Sequence, residues 1–193
     1  VFFTGDILDS RVRLNHESFE PLQHLNAPVY FVEGNHDHST GVVAIKKHLR
    51  AIGVIVLENE TVNWNGIQII GLNHMAADSR SPNAFVDTRG PTIQSILASL
   101  PIKTDEPSIL LHHSPDGIEY ANQVGVDLYL AGHTHAGQMF PATLVAKRMF
   151  AYNKGLHQFK NTIMHVCQGI GTIGPPMRLG TKSEMTVLNL VSK

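Results

Sequence analysis

The sequence holds one cysteine, Cys167, among 193 residues. A lone thiol forms no internal disulfide and builds no thiolate-rich zinc site. Charged residues are sparse, at 16%, and nearly balanced, with a net charge of −1. That balance argues against a broad nucleic-acid footprint, which requires a basic face. No apolar run reaches the ~20 residues of a membrane helix, and no secretory signal opens the chain. What remains is ordinary globular material, 42% hydrophobic, in a length that suits one domain spanning residues 1–193. Histidine is the exception to this plainness, with 12 copies.

The histidines are not scattered at random. Leu128-Tyr129-Leu130-Ala131 is an apolar run that stops at Gly132 and then offers His133 and His135. Residues two apart in an extended segment point to the same side, so both imidazoles are expected to enter one pocket. The pattern recurs. Val1 to Gly5 runs into Asp6, Val29 to Gly34 runs into Asn35, His36 and Asp37, and Ile109 to Leu111 runs into His112 and His113. Short apolar runs of this kind fill sheets buried on both faces. Ligands of open α/β sheets gather beyond the carboxyl ends of the strands. Four such strands would bring Asp6, Asn35, one histidine of the 112/113 pair, His133 and His135 around one crevice. Adjacent strand residues face opposite ways, so His112 and His113 are not expected at the same ion. Oxygen and imidazole ligands suit Mn²⁺, Fe or Zn²⁺.

Gly5-Asp6-Ile7-Leu8-Asp9, Gly34-Asn35-His36-Asp37, His113-Ser114-Pro115 and Gly132-His133-Thr134-His135 resemble four of the five motifs of the calcineurin-like metallophosphoesterases, in the family's order. The stretch Gly169 to Leu179, with Gly137-Gln138, resembles the YkuE-like branch, many of whose members are membrane-anchored phosphohydrolases. The resemblance implies an α/β, two-sheet αββα sandwich. It implies two divalent ions, with Asp6 as bridge, Asn35, His113 and His133 on one ion and His135 on the other. It gives His36 the leaving group to stabilise or protonate, with Asp37 accepting the other N–H of that imidazole. Arg178 is a candidate phosphate clamp, because guanidinium matches phosphate oxygens bidentately.

The family's first motif, an Asp-x-His strand, is absent from the sequence. The expectation is therefore an N-terminally truncated domain, with one metal site incomplete and an upstream segment that could carry a membrane anchor. The expected activity is hydrolysis of a phosphomonoester, a phosphodiester or a lipid-linked pyrophosphate. The alternatives are a non-catalytic scaffold of the same fold and a nuclease of the same superfamily. No nucleic-acid partner is expected.

The intervening chain supplies the packing. A short amphipathic helix is predicted near residues 17 to 25, and a second, capped by Ser39 or Thr40, to about Arg50. Asn65-Gly66 is a two-residue hairpin turn between strands. A helix is predicted from Pro91 to Leu100, another from Ser114-Pro115, and strands at residues 163 to 166 and 185 to 191. Asp9 is a candidate acceptor to orient a ligand or a turn or helix-capping residue, and His74 follows a strand and could reach the crevice, with a rim or structural role favoured. Residues 139 to 161 interleave Lys147, Arg148, Lys154 and Lys160 with Met149, Phe150, Tyr152 and Phe159. They read either as a solvated basic loop or as a lid that meets an anionic lipid or the membrane surface.

Overall fold

A computed structural model describes residues 1–8, 14–15, 17–80 and 90–191. Asp9, His16 and residues 81–89 lie outside the described residues.

Two sheets face each other. The first is parallel and short, with β1 (Phe2–Phe3), β2 (Tyr30–Phe31) and β3 (Ile55–Val56) in that spatial order. The second contains β4 (Glu60–Trp64), β5 (Ile67–Gly71), β6 (Ser108–Leu111), β7 (Leu128–Ala131), β8 (Gly155–Phe159) and β9 (Thr162–Val166). Its spatial order is β4-β5-β6-β7-β9-β8, parallel in the middle and antiparallel at both edges. The β4–β5 hairpin turns at Asn65 (φ 50°) and Gly66 (φ 84°), the left-handed pair that Asn-Gly predicts.

Alternation along the strands divides the core into layers. Ile69, Ile109, Leu111, Leu128 and Leu130 point inward against Tyr30, Val32 and Leu57 of the opposite sheet. On the outer side of the short sheet, helix α1 (Asn35–Thr40) passes through Gly41 (φ 112°) into α2 (Val42–Ala51). There Ile45 and Leu49 cover Phe31, Val54 and Val56. On the outer side of the long sheet, Ile93 and Leu97 of α3 (Ile93–Ser99) and Ile118 and Ala121 of α4 (Ile118–Gln123) cover Ile70, Leu110 and Tyr129. The result is the helix–sheet–sheet–helix sandwich expected from the sequence.

Several local expectations shift. Ser39 and Thr40 do not cap α2; they lie in the last turn of α1, and both hydroxyls donate back to the His36 carbonyl. The residue that permits the break is Gly41, whose φ lies in the left-handed region. The helix expected at Ser114-Pro115 begins only after Gly117. Residues 139 to 161 are not a loop: they hold α5 (Ala142–Met149) and β8. Residues 185 to 191 form no strand, although Leu188 packs into the inner layer. Alternating hydrophobicity specifies faces, but a strand also needs a ladder partner.

Candidate metal centre

The carboxyl ends of β1, β2, β6 and β7 converge, two from each sheet. Close approach is possible because Gly5 and Gly34 meet backbone to backbone. A Cβ on Gly5 (φ 89°) would come within 2.6 Å of the Gly34 nitrogen, and one on Gly34 would overlap Asp6 and His113. Beyond these glycines, Asp37 fastens the two loops together. It is fully buried, and its carboxylate accepts the backbone N–H groups of Gly34 at 2.8 Å, Asp6 at 2.8 Å and Ile7 at 3.0 Å. Burial and the nearby Asp6 charge raise its pKa, while these N–H groups oppose the rise.

Four side-chain atoms come together in front of this seam. His113 Nε2 lies 3.0 Å from Asn35 Oδ1, 3.0 Å from His133 Nδ1 and 3.1 Å from Asp6 Oδ2. His133 Nδ1 is also 3.0 Å from Asn35 Oδ1. His113 and Asp6 are each held from behind. The Nδ1–H of His113 donates to the Thr4 carbonyl at 2.7 Å, so in the neutral ring Nε2 presents its lone pair. Asp6 Oδ1 accepts the His36 backbone N–H at 2.7 Å, which leaves Oδ2 facing the cluster. Burial pushes the Asp6 carboxyl up, but the hydrogen bond and charge of His113 and the His36 N–H outweigh it, and its pKa falls to about 2. His133 is kept neutral, its pKa lowered to about 3 by burial and by His113 and His74.

Electron pairs therefore face one another across about 3 Å. A proton can serve one pair of these atoms at a time, whereas a divalent cation can serve all four. The donor set of one carboxylate, one amide oxygen and two imidazoles fits a hard to borderline ion. Asp6, His113 and His133 form the compact group able to hold one.

His74 adds a second sign of a ligand. The sequence suggested a rim or structural role. Its ring stacks on His112 at 6.0 Å and meets His113 edge-on at 5.4 Å and His133 at 6.1 Å. Both ring nitrogens are buried, and neither has a hydrogen-bond partner among the described residues. Burial, with His112 and His113 beside it, lowers its pKa to about 3. Unpartnered buried nitrogens are costly unless something bonds them. The only signal for this in the sequence was a histidine shortly after a buried strand. His112, by contrast, is fully buried and turned into the core. Its Nδ1 donates to the Ser114 carbonyl at 2.9 Å, beside Tyr129 Oη at 3.0 Å.

Three sequence-derived roles change. His135 does not join the cluster. The premise of an extended segment fails, because His133 (φ 70°) and His135 (φ 47°) are left-handed and His135–Gly137 forms a 3₁₀ turn. The turn sends His135 Nδ1 to within 3.3 Å of Arg178 Nη2. Burial and then the Arg178 charge lower the His135 pKa to about 4. Arg178 is not poised as a phosphate clamp. Its Nη2 also donates to the carbonyls of Gln168 at 2.8 Å, Gly169 at 3.1 Å and Gly171 at 2.6 Å, so it ties the 168–171 strap to His135. Asp37 does not orient His36, since its oxygens are taken by backbone N–H groups. The His36 imidazole has no hydrogen-bond partner among the described residues, although its backbone begins α1 beside the cluster.

The calcineurin-like phosphoesterase family profile matches residues 1–137. The chain is 32% identical over 197 residues to an uncharacterized metallophosphoesterase of Helicobacter pylori strain J99, covering 100% of this chain and 51% of that protein. It is 32% identical over 203 residues to the uncharacterized metallophosphoesterase YkuE of Bacillus subtilis, covering 100% of this chain and 68% of YkuE. A zebrafish transmembrane protein with a metallophosphoesterase domain is 34% identical over 209 residues, with 100% of this chain and 45% of that protein covered. The chain thus spans about half the length of the Helicobacter and zebrafish relatives. In this chain no helix among the described residues is long and apolar enough to cross a membrane. Among solved structures, the NAD nucleotidase NadN of Haemophilus influenzae shares the fold, with a TM-score of 0.53 and 21% identity over 88% of this chain and 40% of that one. With the profile spanning the strands that deliver Asp6, Asn35, His113 and His133, the chain belongs to the calcineurin-like phosphoesterase family.

Proposed function

We propose that this domain hydrolyses a phosphate ester at the Asp6–Asn35–His113–His133 cluster, in a protein whose substrate is a phosphomonoester, a phosphodiester or a lipid-linked pyrophosphate. The observation that carries the reading is the convergence of four potential ligand atoms, one carboxylate oxygen, one amide oxygen and two imidazole nitrogens, at 3.0–3.1 Å. When bound there, a divalent cation supplies Lewis acidity, withdrawing charge from a phosphoryl oxygen and acidifying water.

The chain's own groups have separable tasks. Asp6 and Asn35 supply oxygens, and His113, held by the Thr4 carbonyl, and His133 supply imidazole nitrogens. His36, next to Asn35 and with no imidazole hydrogen bond among the described residues, would donate a proton to a departing oxygen. His74 offers a buried N–H to a phosphoryl oxygen entering the cluster. Asp37 keeps the Asp6 and Asn35 loops in register. The binuclear form belongs to this proposal as well. It requires His135 to leave Arg178 and further donors to join it.

Hydrolysis of p-nitrophenyl phosphate and of its bis-ester tests the reading, with Mn²⁺, Fe²⁺ or Zn²⁺ supplied. Two proteins are compared: this chain, and this chain joined to an upstream Asp-x-His strand. Metal-dependent turnover that rises in the extended protein and disappears in His113→Ala supports it. An extended protein that binds metal yet stays inert on both esters would favour a non-catalytic scaffold.

A further inference from the structure

We propose that the surface formed by α5 and the strap at residues 170–182 docks onto an anionic phospholipid bilayer. Binding to lipid does not depend on the hydrolytic reading. The charge distribution is the first observation. Residues 128–183 contain Lys147, Arg148, Lys154, Lys160, Arg178 and Lys182 and not one aspartate or glutamate. The rest of the chain carries all 16 acids against nine Lys and Arg; within the stretch, Lys147, Arg148, Lys154, Arg178 and Lys182 lie on or beside α5 and the strap, whereas Lys160 stands at the far end of the β8–β9 hairpin. Lys147, Arg148, Lys154, Lys160 and Lys182 are exposed and form no ion pair among the described residues.

Exposed hydrocarbon is the second observation, and it lies in the same region. Phe140, Leu144, Val145, Met149, Met177 and Leu179 are each more than half exposed. Of the eight residues of α5, only Ala146 is buried. The aromatic residues that the sequence pattern put forward turn the other way. Phe150 packs edge-on to His133 at 5.7 Å, and Tyr152 and Phe159 pack on the core.

The two parts are held together as one platform. The Phe140 N–H donates to the Leu179 carbonyl at 2.8 Å, and the Leu179 N–H donates to the Gln138 carbonyl at 3.1 Å. The Gln138 side chain bonds both the Ile173 N–H at 2.7 Å and the Ile173 carbonyl at 2.8 Å. Leu144, Lys147 and Lys154 line one cleft with Gly180. Arg178 ties the strap to His135, and Phe150, which follows α5, packs on His133, so the platform borders the centre. Basic side chains beside protruding aliphatic ones match the boundary between anionic headgroups and acyl chains. A nucleic-acid surface would pair the cations with several base-stacking aromatics, whereas here Phe140 is exposed among the aliphatic Leu144, Val145, Met149, Met177 and Leu179, and Phe150, Tyr152 and Phe159 face inward.

Flotation of the 193-residue chain with phosphatidylcholine vesicles, with and without phosphatidylglycerol, tests the proposal. The chain should float with the mixed vesicles, less so at raised salt, and stay behind with phosphatidylcholine alone. Lys147→Glu with Arg148→Glu should weaken binding at least about tenfold. Leu144→Ser with Met149→Ser should weaken it by about tenfold. Leu25→Ser with Val43→Ser removes exposed hydrocarbon elsewhere and should leave it unchanged. All these positions are exposed, and an unchanged melting temperature for each variant shows that its fold is intact. No flotation, equal flotation with neutral vesicles, or equal loss in the Leu25/Val43 variant would overturn the proposal. So would retention on an oligonucleotide that survives the Leu144/Met149 change and displaces the vesicles.

Discussion

His133 and His135 stand two residues apart, share left-handed backbones and are both held neutral, yet they have opposite relations to a cation. His133 Nδ1 faces Asn35 and His113, both electron-pair donors. His135 Nδ1 faces the guanidinium of Arg178, which already carries a positive charge. Residue type and spacing made the two equivalent in the sequence. What separates them is the partner each ring meets after the turn at Thr134, whose hydroxyl accepts the Ala136 N–H and donates to the Asn153 carbonyl. A histidine becomes a ligand through its surroundings as much as through its place in a motif.

Changes to the assembled side should have the largest effects. Gly34→Ala forces a methyl group into Asp6 and His113. It should abolish Mn²⁺ binding and cost at least about 1–3 kcal/mol of stability, read by urea denaturation. If binding survives, the backbone seam is looser than described. His113→Ala should weaken Mn²⁺ by at least about hundredfold in calorimetry, while His135→Ala changes it by less than about threefold. Comparable losses in the two variants would erase the distinction between them.

Asp37→Asn replaces a carboxylate that accepts three backbone N–H groups with an amide that must turn an NH₂ toward one of them. Stability should fall by about 2–4 kcal/mol. A normal urea midpoint combined with a loss of turnover would restore the role of orienting His36. On the other side, Arg178→Met removes the cation beside His135. The His135 pKa should then rise from about 4 toward its ordinary value, followed by NMR titration of the imidazole carbon protons. An unmoved pKa would mean that burial alone sets it.

A smaller effect separates the ligands from the buried His112. Its folded pKa is lowered to about 3 by burial. The unfolded chain thus binds the proton more readily, and this contribution to stability is complete above about pH 6.5 and lost as pH falls toward the folded value. Urea midpoints should decline between neutral pH and pH 5, and less steeply in His112→Asn, whose side chain does not titrate.

Much of this was legible in the sequence because the physics was local. Apolar runs ending in a ligand named Asp6, Asn35, His133 and one histidine of the 112/113 pair, and marked β6 and β7 as strands buried on both faces. The choice of His113 and the two-sheet layering followed from the family resemblance. What was hidden depends on groups far apart in the chain. Asp37 looked like a partner for its neighbour His36, but two of the three N–H groups it serves, those of Asp6 and Ile7, come from a loop about 30 residues away. Arg178 suggested phosphate because the carbonyls of residues 168–171 that it binds have no signature in residue type. His74 gave little signal, since the three histidines around its ring come from the ends of β6 and β7, far along the chain. The apolar alternation at residues 185–191 was real, yet it could not specify a neighbouring strand.

The claim on which the rest depends is that one cation site is built here and that His135 is outside it. Calorimetric titration of the 193-residue chain with Mn²⁺ measures this directly. One well-formed site, lost in His113→Ala and kept in His135→Ala, is the expected result. Two equally tight sites, or no binding by a folded chain, would contradict it.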